Sequence, residues 1–159
     1  MGLSRTSTTS LAKFFGNMNV QVIHFDMDLT PYMPHRNRSI DTYDFRVYDD
    51  VDAVFDLPTA FYYRELMEVY PRALFISSYR DPEGWFNSFE SYLELMSRRY
   101  FSQMQPMHVR FLHCTVYGSA YPNQTLWINN YQKHYHLVSI NCFLFIKVRL
   151  IINICFDLF

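Results

Sequence analysis

The tightest constraint on this chain is at its start. Gly2-Leu3-Ser4-Arg5-Thr6-Ser7-Thr8-Thr9-Ser10-Leu11 sets one arginine among hydroxyl residues and runs straight into an apolar pattern. Leu11, Phe14, Phe15 and Met18 recur at the spacing of one helix face, which predicts a helix beginning near Thr8 or Thr9. The first N–H groups of a helix lack partners, and its N-terminus carries partial positive charge. A basic, hydroxyl-rich loop opening a helix is therefore suited to hold an anion, with donors that a phosphate or sulfate can accept. The competing reading is an ordinary polar tail, because Ser and Thr are common at chain ends.

The chain that follows alternates strands and helices. Val20 to Phe25 reads as a short strand, and loop, helix and strand in that order predict an α/β fold. Val51 to Phe55 is apolar apart from Asp52 and leads into Asp56-Leu57-Pro58. Pro58 fits the first position of a helix striped by Ala60, Tyr63, Met67 and Tyr70 and ended by Pro71. Ala73 to Tyr79 reads as another strand, its Leu74-Phe75-Ile76 continuous as in a buried parallel strand. Asp81 is a natural cap for a helix opening at Pro82 and striped by Trp85, Phe89, Tyr92 and Met96, with Glu94 and Arg98 paired on its outside. Trp127, Tyr131, His134 and Val138 mark a further helix, while residues 102–121 carry no decisive pattern. Met27 to Asp50 has no clear period and contains Pro31 and Pro34. Such a long connection predicts a lid, one wall of an acceptor site, or a mobile insertion.

Composition narrows the classes. A chain of 159 residues, half of them hydrophobic, predicts one domain. A net charge of -1 without a basic stripe argues against nucleic acid as a partner. Cys114, Cys142 and Cys155 are too scattered for a disulfide framework or a metal site, and read as reduced thiols that suit the cytoplasm. The first residues lack the apolar core of a signal peptide. Asn37-Arg38-Ser39 and Asn123-Gln124-Thr125 match the glycosylation pattern, which matters only for a luminal chain. Residues 139–159 are long enough to span a bilayer, but Asn141, Lys147, Arg149, Asn153 and Asp157 interrupt them, so no membrane span is expected. The expected division is a domain over 1–138 and a β-rich or poorly folded tail over 139–159.

Four blocks, in order, resemble the sulfotransferases that take their sulfuryl group from PAPS (3′-phosphoadenylyl sulfate). The opening stretch resembles their G-L-x-R-T-G-T-x-S-L loop. Val54-Phe55-Asp56-Leu57-Pro58-Thr59 with Phe61, Tyr62, Glu65 and Leu66 resembles a D-x-P…F-Y-x-E-L segment. Phe75 to Arg80, then Asp81-Pro82 and Trp85, resembles a strand ending in R-D-P-x-x-W, and Leu126-Trp127, Tyr131 and His134 resemble a later L-W…Y-x-x-H pattern. The resemblance implies a P-loop NTPase-like parallel sheet flanked by helices. It implies PAPS held by Arg5, Thr6, Ser7, Thr8 and Thr9 at the 5′-phosphosulfate, and by Arg80 and Ser88 at the 3′-phosphate. The acceptor would be a hydroxyl or amine of a small molecule or glycan, with no metal required. The setting would be the cytoplasm, or the Golgi lumen if an N-terminal anchor belongs to the protein.

An acceptor hydroxyl needs a base. Asp56, at the end of an apolar strand, is the first candidate, with helix capping as its competing role, and His24 is the second. A rival assignment rests on Phe25-Asp26-Met27-Asp28-Leu29-Thr30, which resembles the D-x-D-x-T box of Mg²⁺-dependent haloacid-dehalogenase-type phosphatases, with Asp26 as nucleophile and Asp28 as acid/base. Three features depart from the sulfotransferase pattern. Ser7 stands where the family has glycine, which costs about 1–2 kcal/mol if the backbone is left-handed there. The strand expected before the loop is missing, and nothing after Val138 resembles the family's C-terminal part. The domain is thus expected to be incomplete at both ends, and either weakly active or a non-catalytic fragment of the fold.

Overall fold

The computed structural model describes residues 2–33, 38–100, 107–141 and 146–149. It is α/β, with helices α1 (Thr8–Gly16), α2 (Tyr63–Val69), α3 (Pro82–Tyr100), α4 (Met107–Tyr117) and α5 (Gln124–Asn141). The strands are β1 (Val22–His24), β2 (Ala53–Phe55), β3 (Ile76–Tyr79) and β4 (Ile146–Arg149). β1 pairs with β2 in parallel, Val22 opposite Ala53 and His24 opposite Phe55, and β3 pairs in parallel with β4. Parallel pairing puts the carboxyl ends of β1 and β2 side by side, which is where α/β sheets carry their ligands.

The core is aromatic. Trp85 of α3 stacks on Tyr131 of α5 at 4.2 Å between ring centroids, and Phe89, Tyr117 and Trp127 pack around them. Burying each such ring contributes roughly 1.5–3 kcal/mol. Asp81 caps α3 by accepting from the N–H groups of Glu83 and Gly84, and Pro82 opens the helix as its fixed φ allows. α4 fills part of the stretch that carried no pattern, burying Leu112, His113 and Tyr117.

Three expectations are corrected. The apolar stripe of α1 is only partly covered: Leu11 and Phe15 are half-buried, Phe14 is 59 % exposed, Met18, equally exposed, lies past the helix end, and Thr8 is the residue of α1 that is buried. The Thr8 hydroxyl donates to Asp56, and this polar anchor sets the helix's rotation so that Phe15 packs on Phe55. Pro58 does not open a helix, because Asp56 at φ 69° turns the chain and α2 begins only at Tyr63. β3 starts at Ile76, Leu74 is 61 % exposed, and the buried strand residues are Ser77 and Ser78. At Ser78 the reason is close packing: a Cβ on Gly2 would lie 2.0 Å from its hydroxyl, so that face of the strand takes a small side chain there.

The connection from Met27 to Asp50 folds onto the core through 3₁₀ turns at Met27–Tyr32, Ile40–Thr42 and Phe45–Tyr48, burying Leu29, Met33, Phe45 and Tyr48. α5 runs past Val138 to Asn141, and β4 forms within the stretch that follows. The rest of 139–159, with Cys142 and Cys155, lies outside the described residues, as does Asn37. Among the described residues no helix is long and apolar enough to cross a membrane.

Candidate active site

The opening loop lies between the ends of β2 and β3. On one side the Ser4 hydroxyl donates to Asp56 Oδ1 at 2.5 Å. On the other, the Thr6 hydroxyl donates to the Leu3 carbonyl at 2.6 Å and lies 2.9 Å from the Ser78 hydroxyl. The Trp85 indole donates to the Ser4 carbonyl, and the Leu3 N–H donates to the Tyr135 hydroxyl, which itself donates to the Ser78 carbonyl. The α5 stripe also fixes the end of β3: the Tyr131 hydroxyl donates to the Arg80 carbonyl and accepts from the Arg80 N–H. Leu3, Ser4, Ser78, Tyr131 and Tyr135 thus shape a site whose chemistry the sequence placed on other residues.

Arg5 and Ser7 hold left-handed backbone, at φ 67° and 68°. Non-glycine residues adopt that region at a cost, and such residues cluster at functional sites. Ser7 precedes the first residue of α1 without a side-chain cap, and the first turn carries no acid. The backbone N–H groups of Ser7, Thr8 and Thr9 have no acceptor among the described residues, as expected at a helix start. The Thr6 and Thr8 hydroxyls are both turned inward, to Leu3 and Ser78 and to Asp56, while Thr9 is exposed.

Arg5 donates from Nη2 to Ser88 Oγ at 3.2 Å and lays its guanidinium over the Tyr92 ring at 4.8 Å. Partial desolvation, and then the charge of Arg80, hold its pKa below the ordinary arginine value against the opposing pull of Tyr92 and Asp56. Among the described residues neither Arg5 nor Arg80 has a carboxylate within 4.0 Å. The structure therefore brings Ser88 to Arg5 and sets Arg80 near enough for its charge to act on Arg5. Tyr92, read from sequence as one more core position, is the residue beneath Arg5.

Asp56 is nearly buried and saturated. Oδ1 accepts from Ser4 and from the Leu57 N–H, and Oδ2 accepts from Thr8. His24 Nε2 stands 3.3 Å from Oδ2, so the two candidate bases form one pair. Asp26 plays a structural part: it accepts from the Tyr48 hydroxyl at 2.5 Å, from Tyr43 at 3.4 Å and from the Asp28 N–H.

A family model described as a sulfotransferase domain matches residues 1–140. No curated protein matches the chain.

Proposed function

The chain belongs to the sulfotransferase family, and we propose that it moves a sulfuryl group from PAPS to a hydroxyl or amine of a small molecule or glycan. The observation that carries the reading is Arg5, which rests on Ser88 and Tyr92 without a carboxylate partner among the described residues, in the loop that leads into the uncapped start of α1, with the charge of Arg80 acting on it. A guanidinium without a carboxylate partner in a loop that opens onto free N–H groups, with a second one acting on it, fits a ligand with more than one anionic group.

In this reading the N–H groups of Ser7, Thr8 and Thr9 hold the 5′-phosphosulfate, together with the Ser7 and Thr9 hydroxyls. Arg5 neutralises charge gathering on the leaving nucleotide, and Arg80 with Ser88 favours a 3′-phosphate. PAPS supplies the activated sulfuryl group. The protein's part is positioning and fixed charge, as in phosphoryl transfer. Thr6 and Thr8 act indirectly, by holding the loop to β3 and β2. The acceptor enters beside His24 and Asp56.

Calorimetry with PAP, the desulfated nucleotide, tests this. Saturable binding that weakens in Arg5→Ala and Arg80→Ala, and that exceeds binding of 5′-AMP, supports it. Equal affinity for PAP and 5′-AMP removes the 3′-phosphate assignment. Complete absence of binding favours the second reading, a non-catalytic member of the family, to which the left-handed Ser7 in place of glycine lends support.

A further inference from the structure

We propose that Asp56 is the residue that positions the opening loop for the nucleotide, by clamping Ser4 and Thr8 on either side of the left-handed Arg5 and Ser7; this rests on the transferase reading above. Both ends of the strained stretch meet one carboxylate. Oδ1 accepts from the Ser4 hydroxyl at 2.5 Å, and Oδ2 accepts from the Thr8 hydroxyl at 2.9 Å. The Leu57 N–H donates to Oδ1 at 2.7 Å and steadies the carboxylate itself. Between the two hydroxyls the chain holds Arg5 at φ 67° and Ser7 at φ 68°. Non-glycine residues leave that region unless their surroundings hold them there. Here the hold comes from outside the loop, just past the end of β2.

The same contacts set Asp56 apart from an acceptor. Its side chain is 8 % exposed, and each oxygen already takes a hydroxyl from the loop. His24 Nε2 stands 3.3 Å from Oδ2 without a hydrogen bond to it. An acceptor's O–H has no free approach to this carboxylate. What Asp56 governs is the loop: Arg5 and the open N–H groups at the start of α1 are reached from backbone that Ser4 and Thr8 pin in place. A carboxylate makes charge-assisted bonds to both hydroxyls, stronger than an amide can make. An asparagine has one acceptor oxygen and turns an NH₂ group toward the other hydroxyl. The charge of Asp56 therefore matters as well as its shape.

Asp56→Asn keeps the volume and removes the charge. Amide hydrogen exchange in the nucleotide-free chain is expected to quicken by about tenfold over residues 5–8 in this variant, and to stay at the wild-type rate in α3 and α5. PAP has no sulfuryl group to transfer, so its affinity is blind to a base and reads the loop. Asp56→Asn should weaken PAP binding by about tenfold and Thr8→Val by about threefold. The double variant should bind about as well as Asp56→Asn alone, since the two changes remove the same bond. Should Asp56→Asn fail to fold, Thr8→Val and Ser4→Ala leave the carboxylate in place and carry both measurements. Loop exchange or PAP affinity at the wild-type level in these variants overturns the proposal, and so do losses that add in the double variant. Wild-type PAP affinity in Asp56→Asn with PAPS turnover down by about a hundredfold would make Asp56 a base, and overturns it too. A wild type that binds no PAP overturns the transferase reading and the proposal with it, whereas PAP binding indifferent to Asp56 and Thr8 overturns the proposal alone.

Discussion

Arg5 reaches across 83 residues of sequence to donate to Ser88 at 3.2 Å, and its guanidinium rests on Tyr92. This links the opening loop to α3 in a posture that suits an anion between Arg5 and Arg80. Charge-assisted hydrogen bonds are worth about 1.5–3 kcal/mol, and neutral ones about 0.5–1.5 kcal/mol. Arg5→Ala is therefore expected to weaken PAP binding by roughly 10- to 100-fold, and Ser88→Ala by roughly 2- to 10-fold. Calorimetry over a salt series checks both, since affinity in the wild type should fall with ionic strength and fall less steeply in Arg5→Ala. A PAP affinity unchanged in Arg5→Ala would remove the loop from the site.

Gly2 makes a packing prediction. Its missing Cβ would lie 2.0 Å from Ser78 Oγ and 2.6 Å from Thr6 Oγ1, the two hydroxyls that pair with each other. Gly2→Ala must separate that pair; Thr6 keeps the Leu3 carbonyl, but the buried Ser78 hydroxyl loses its partner at a cost of about 1–3 kcal/mol. Ser78→Ala removes the nearer obstacle. The double variant is expected to be more stable than the sum of the two single losses implies, and urea denaturation of all four proteins measures the coupling. Strict additivity would show that the loop does not press on β3.

Ser7 at φ 68° offers the reverse experiment. Glycine adopts left-handed backbone without the steric cost, at some loss of unfolded-state entropy. Ser7→Gly is expected to stabilise the chain by about 0.5–1 kcal/mol and Ser7→Ala to leave it unchanged or weaker, read as the shift in Tm. A fall in Tm for Ser7→Gly would show that the loop's posture does not depend on relieving this residue.

Much of the frame was legible because it follows from periodicity and punctuation. Asp81-Pro82 announced the start of α3, and the Trp127, Tyr131 and Val138 stripe announced α5, since capping chemistry and an apolar face act locally. What stayed hidden depends on contacts far apart in sequence. Thr8 is the buried anchor of α1 because Asp56, 48 residues on, accepts its hydroxyl, while Phe14 of the apolar stripe stays exposed. Ser77 and Ser78 are buried on opposite faces of β3, Ser78 on the face where Gly2 presses, and no local pattern reports that. Within the site, sequence named Arg5, Asp56, His24, Arg80 and Ser88 as separate residues. It could not pair Arg5 with Ser88 or His24 with Asp56, nor distinguish the outward Thr9 from the inward Thr6. α4 escaped notice because His113 is one of its buried positions, and a buried neutral histidine reads as a polar letter.

That histidine should make stability depend on pH. His113 is 5 % exposed, stands 5.2 Å from the Trp127 ring, and its pKa is lowered by burial to about 4, against the partial support of a backbone hydrogen bond with Ala120. Above pH 6.5 the residue is neutral in both folded and unfolded chains and contributes no pH dependence. As pH falls from about 6.5 to about 4, the unfolded chain takes up a proton that the folded one excludes, so stability is lost across that window. The loss is on the order of 3 kcal/mol. His113→Phe removes the titrating group while keeping a ring against Phe89 and Trp127. Urea midpoints followed by tryptophan fluorescence between pH 4 and 7 should fall more steeply with acid in the wild type than in this variant. Parallel curves would mean that His113 carries its proton in the folded chain.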